Sequence, residues 1–165
     1  QAVSRGLGDV YKRQALEHQV GDTGQGRGIV CFDYDRDGDI DIFINNNQGS
    51  GRAYRKNASS RLAHHWLGIR LQMPGDNHQA IGAKITILSG GQQQFRERRI
   101  PNHYLSTSPA EVFYGLNTSA MIDEIQVQWP DGISSRYTQI NSDQWLLLAH
   151  PSLDQLHHDG FEPLP

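Results

Sequence analysis

Five aspartates stand at alternate positions, Asp33, Asp35, Asp37, Asp39 and Asp41, in the run DYDRDGDID, with Gly38 after the third. Carboxylates about 5 Å apart repel by about 3 kcal/mol per pair at an effective dielectric near 20, so a compact turn of this composition needs a cation to be at ease. Calcium fits best: it accepts six to eight hard oxygens in flexible geometry, alternating aspartates aim oxygens inward, and a glycine at the sixth position permits the sharp turn. The spacing assigns side-chain ligands to Asp33, Asp35, Asp37 and Asp41, a backbone carbonyl to Asp39, and water to the remaining positions. An EF-hand would need glutamate at the twelfth position and helices on both sides, but that position is Ile44 and both flanks read as strands. Magnesium, with six near-ideal octahedral positions and tightly held waters, suits a carboxylate-dense loop less well. A merely solvated acidic turn accounts for neither Gly38 nor the flanking strands. Clustered carboxylates with no accompanying base make a poor acid–base pair, so no catalytic residue is assigned.

Other chemistry-bearing residues point to bland roles. Arg96, Arg98 and Arg99, beside Phe95 and interrupted by Glu97, read as a solvated strand edge rather than an anion patch. His64-His65 and His157-His158 are adjacent pairs, and neighbours on a strand face opposite ways, which disfavours shared metal ligation. Cys31, within Ile29 to Phe32, reads as a buried core thiol. Trp66, Trp129 and Trp145 fall at inward positions of apolar runs, which favours packing over stacking on sugars.

The elements that must position these residues are strands. Ile29 to Phe32 and Ile40 to Ile44 flank the acidic loop, after the glycine-rich GDTGQGRG, and Arg52 to Asn57 adds a third short strand. From Trp66 onward the text alternates regularly. Strands are expected over Trp66–Gln72, Ala83–Leu88, Gln92–Arg98, Glu111–Tyr114, Glu124–Trp129, Arg136–Ile140 and Trp145–Ala149, with a hairpin at Ser89-Gly90-Gly91 and a turn at Pro130-Asp131-Gly132. Ile125, Val127 and Trp129 should face inward. This spacing of strands and turns indicates a compact all-β sandwich.

Composition bounds the function. The 165 residues hold 15 Lys and Arg against 18 Asp and Glu, a formal charge of -3, which argues against a nucleic-acid binder. No apolar run exceeds Trp145 to Ala149, far from the ~20 residues of a spanning helix, so no membrane insertion is expected. One cysteine excludes an internal disulfide framework. Gln1 to Gln14, QAVSRGLGDVYKRQ, resembles a translated sequencing-adapter artefact and is set aside as non-native. Without it the chain has 12 basic and 17 acidic residues, and the loop from Asp33 to Asp41, five aspartates with Arg36, holds most of the excess.

The run GRGIVCFDYDRDGDIDIFINNN, Gly26 to Asn47, resembles a calcium-binding FG-GAP (VCBS) repeat. HHWLGIRLQ (His64–Gln72), AIGAKITILSGGQQQFRE (Ala80–Glu97), YLSTSPAEVFYGL (Tyr104–Leu116) and IDEIQVQWPDG (Ile122–Gly132) resemble the ASPIC/UnbV domain of cartilage acidic protein and of bacterial exported proteins. Pro101-Asn102-His103 departs from the small or Gly-rich turn usual there. The resemblance implies an all-β chain: the last blade-like hairpin unit of a truncated β-propeller over residues 15–57, then a small antiparallel β-sandwich over 58–150, then a loosely ordered tail over 151–165. It also implies a C-terminal part of a longer protein with a signal peptide, in an extracellular, cell-surface or periplasmic setting. Its function would be a non-enzymatic, calcium-stabilised protein-binding or adhesive module. The expected partners are the upstream blades and a protein or glycan at the cell surface. A carbohydrate-binding accessory domain of a larger surface enzyme is the alternative, and a hydrolase using the acidic loop comes third.

Overall fold

The computed structural model describes residues 19–56, 64–100 and 105–153, and within them the chain forms ten strands in three sheets. The first three, β1 (Gly26–Phe32), β2 (Asp41–Asn46) and β3 (Arg52–Tyr54), make an antiparallel sheet in the order β1-β2-β3. The other seven are β4 (His65–Gln72), β5 (Lys84–Ser89), β6 (Gln92–Glu97), β7 (Val112–Asn117), β8 (Met121–Gln128), β9 (Ser134–Asn141) and β10 (Gln144–Ala149). They build a three-stranded sheet, β10-β4-β7, and a four-stranded one, β6-β5-β8-β9. The all-β expectation holds. Among the described residues no helix is long and apolar enough to cross a membrane.

The two larger sheets share one core. Alternation puts Leu67, Ile69 and Leu71 of β4 and Val112, Tyr114 and Leu116 of β7 on one inner face, and Ile85, Ile87, Ile125 and Val127 on the other, with Ile122, out of that alternation, also buried. Each fully buried Ile or Leu contributes about 1.5–3 kcal/mol relative to exposure. Tyr114 crosses the layer and donates its hydroxyl to the Ile85 carbonyl at 3.2 Å, and its phenol is pushed up from its ordinary pKa by burial, against a smaller opposing effect of Arg96. Ile125, Val127 and Trp129 face inward as expected. Between β5 and β6, Gly90 and Gly91 both take positive φ, 55° and 73°, the geometry a two-residue hairpin of this twist requires.

One pairing departs from a purely antiparallel sandwich: β10 runs parallel to β4. The chain leaves β9 in the four-stranded sheet and crosses to the other sheet through Ser142 and Asp143. There Asp143, at φ 59°, grips β4 on both sides of one residue. Its N–H donates to the Trp66 carbonyl at 2.7 Å and its Oδ1 accepts from the Trp66 N–H at 3.1 Å.

Two expectations about single residues fail. Cys31 is exposed, because every buried hydrophobic residue among those described lies between Leu67 and Leu148 and the β1–β3 sheet contributes none. Arg98 is buried: its backbone pairs with Ala83 and Gly82, which draws the guanidinium inward onto the Gln79 side-chain oxygen at 3.1 Å and the Arg99 carbonyl, and burial lowers its pKa.

Candidate metal centre

The acidic run is the loop of the β1–β2 hairpin, whose register closes at Phe32 opposite Asp41. Its conformation comes from its own carboxylates. Asp33 Oδ1 accepts from the Asp37 N–H at 3.1 Å and Oδ2 from the Gly38 N–H at 3.0 Å, and Asp37 Oδ1 accepts from the Asp39 N–H at 3.0 Å. Asp41, fully buried, ties the loop's ends: Oδ2 accepts from Tyr34 N–H at 3.0 Å and Oδ1 from Lys56 N–H at 2.8 Å. Gly38, at φ 91°, takes the sharp turn, and Arg36 also has positive φ, 61°.

This folding gathers Asp33, Asp35 and Asp37, which offer one carboxylate oxygen each within 4.8 Å of one another. Both oxygens of Asp35 are buried without a hydrogen-bond donor. Burial pushes the Asp33 carboxyl up, the N–H groups of Gly38 and Arg36 pull it back, and the charge of Asp37 adds to the rise. Clustered hard oxygens, some lacking partners, one carboxyl disfavoured as an anion: this donor set fits a hard divalent cation such as calcium. Asp39 and Asp41 stand apart from the trio. Asp39 is buried with Lys56 Nζ at 2.9 Å from Oδ1, and Asp41 is engaged as described.

Two cations absent from the sequence-based site line it. Arg55 Nε lies 2.5 Å from Asp35 Oδ2 and Nη2 lies 3.5 Å from Asp37 Oδ2. The first contact is an ion pair, so Asp35 has a charged partner on Oδ2 while its Oδ1 has none. The signal for Arg55 and Lys56 was their place just past β3, at the same end of the sheet as the loop.

The loop rests on the outer face of the β10-β4-β7 sheet, where Trp66, Phe113 and Trp145 cluster with ring centroids 5.7, 5.8 and 6.2 Å apart. Gly68 makes room for Trp145; a Cβ there would lie 2.1 Å from the indole. Trp66 and Trp145 are thus half-buried against the loop rather than in the sandwich core. Arg36 places its guanidinium 5.1 Å from the Trp145 ring centre and 3.6 Å from Glu111 Oε1, while Glu111 also pairs with Arg70. A second tie joins Ser106 to β1: its hydroxyl accepts from Ile29 N–H at 3.2 Å and donates to the Ile29 carbonyl at 2.7 Å.

Six of the seven strands of this sandwich, β5 to β10, lie within a segment, residues 73–154, that matches the family model described as ASPIC and UnbV. Residues 73–154 are an ASPIC/UnbV domain. No curated protein matches the chain. The sandwich reaches beyond the matched span, since β4, ending at Gln72, is the central strand of one of its sheets.

At the edge of the ASPIC/UnbV domain, Ser142, His65 and Asp143 bring together the residue types of a hydrolase triad. Their geometry is not that of one. Ser142 Oγ and Asp143 Oδ2 both approach His65 Nδ1, at 3.1 and 2.6 Å, whereas a proton relay needs them on opposite nitrogens. The cluster instead anchors the crossover into β10. The pair His157-His158 and the loop Pro101-Asn102-His103 lie outside the described residues.

Proposed function

We propose that this chain is a non-enzymatic, calcium-binding module of an extracellular, cell-surface or periplasmic protein. In this reading residues 19–56 are an FG-GAP-like (VCBS) repeat whose loop holds Ca2+, and the ASPIC/UnbV domain beside it serves protein binding or adhesion. The observation that carries it is the trio Asp33, Asp35 and Asp37, each offering a carboxylate oxygen within 4.8 Å of the others. These three supply side-chain ligands and the Asp39 carbonyl a further one, Asp41 closes the loop behind them through Tyr34 and Lys56, and calcium adds to the positive charge that Arg55 already brings. Its role is structural. Upstream blades of the same polypeptide would cover the β1–β3 sheet and its loop, where Ile29 and Tyr34 are 46% and 66% exposed.

At a calcium concentration a hundredfold above Kd, linkage adds about 2.7 kcal/mol of stability, a rise of several degrees in melting temperature. Calorimetry of the chain in calcium and in chelator tests this, with Asp35→Ala and Asp37→Ala expected to abolish the difference. Identical melting curves in both buffers would refute the reading.

A second reading, carbohydrate binding, is favoured by a crevice of about 580 Å³ between the loop and the ASPIC/UnbV domain. Trp66 and Phe113 supply aromatic surface there, and Asp39, Lys56 and Asn117 supply polar groups, the mixture a sugar site uses. Glycan-array binding that is lost in Asn117→Ala would support it.

A further inference from the structure

We propose that Arg36 and Gly38 make the acidic loop a cation-operated latch on the ASPIC/UnbV domain, so that occupancy of the aspartates is transmitted to the Trp66–Phe113–Trp145 face. This rests on the calcium reading above. The residues that shape the cation site are also the ones that touch the neighbouring domain. Arg36 and Gly38 hold the loop's two positive φ values, 61° and 91°, and those angles allow Asp33 to collect the Asp37 and Gly38 N–H groups. From the same backbone, the Arg36 guanidinium covers Trp145 at 5.1 Å and approaches Glu111 at 3.6 Å. Gly38 lies so close to Trp66 that a Cβ would stand 2.0 Å from its Nε1.

The coupling has a physical origin. A non-glycine residue at positive φ is strained and persists only where its surroundings impose it. Arg55 offsets part of the charge of the three carboxylates, and the repulsion that remains favours an open loop in which Arg36 is relieved of its positive φ. A cation on Asp33, Asp35 and Asp37 reverses this, holds Arg36 at positive φ, and keeps its guanidinium over the indole, where cation–π contact and the Glu111 charge retain it. Arg36 is a positioning residue: its side chain points to Trp145 and Glu111 and contributes no ligand.

Hydrogen exchange and calcium titration on the full chain test the latch. In the unaltered protein, calcium should slow exchange on the order of tenfold both in the loop and in the amides around Trp66 and Trp145, and should shift tryptophan fluorescence. Arg36→Ala should bind calcium up to about tenfold more weakly, by reciprocity with the lost latch, and should protect the loop alone, with the fluorescence shift lost. Arg36→Lys, which keeps the charge, should recover part of both. Gly38→Ala, forced against Trp66, should lose the fluorescence response even where calcium still binds. Calcium binding without any change around Trp66 and Trp145, or a full response in Arg36→Ala, would overturn the latch and leave the calcium site standing. Absence of calcium binding to the unaltered chain would overturn both.

Discussion

Arg55 sets a fixed positive charge against Asp35 and Asp37, so the site is already partly neutralised by the protein itself. A divalent ion bound as proposed would share the carboxylates with that guanidinium or displace it. With the Arg55 side chain 60% exposed, solvent screening reduces the repulsion to roughly 1 kcal/mol, and Arg55→Gln should tighten calcium binding about fivefold, measurable by isothermal titration. Weaker binding in Arg55→Gln would mean that the guanidinium organises the loop rather than competing for it. Gly68 is constrained by packing alone, since its φ is ordinary but a Cβ would meet the Trp145 ring at 2.1 Å. Gly68→Ala should cost about 1–3 kcal/mol by chemical denaturation, because overpacking displaces an indole that Arg36 and Phe113 also hold.

At the scale of elements, the hairpins were legible and the crossover was not. Gly90-Gly91 between two alternating runs specifies β5–β6 locally, and DYDRDGDID between two apolar runs does the same for β1–β2. The parallel seating of β10 on β4 brings together residues 144–149 and 67–72, and no local pattern encodes a partner so remote. Asp143 fixes that seating. Burial pushes its carboxyl up, but hydrogen bonds from His65, Ser142 and the Trp66 N–H outweigh this and hold it below the ordinary carboxylate value. A depressed carboxyl stabilises the fold above the unfolded-state pKa of about 3.9 and loses that contribution as pH falls through its lower folded value. Asp143→Asn should therefore lower stability at neutral pH and flatten its fall as the pH drops below about 4, as read by denaturation at several pH values.

For the whole molecule, the decisive asymmetry is where the core lies. All the buried hydrophobic residues described belong to the seven-stranded sandwich, while β1–β3 is held by its own ladder, by Ser106 and by the Arg36 and Gly38 contacts. Residues 64–153 expressed alone should unfold cooperatively, and residues 19–56 alone should show no cooperative transition, since a small sheet without a covered face is marginal in water. A cooperative melt from residues 19–56 in chelator would contradict this division of stability.

The amino-acid sequence by itself determined the strand content, the alternation that buries Ile125, Val127 and Trp129, and the concentration of negative charge between Asp33 and Asp41. Each follows from period-two patterning or from spacing within a few residues, which local physics can read. Only the tertiary structure decided that Asp33, Asp35 and Asp37 gather apart from Asp41, that Arg55 pairs with Asp35 and Asp37 while Lys56 pairs with Asp39, and that Cys31 is exposed while Arg98 is buried. It also moved Trp66 and Trp145 from an expected core to a surface beneath the loop. Those outcomes depend on which strand faces lie against one another, and alternation says that a face is apolar without saying what will cover it.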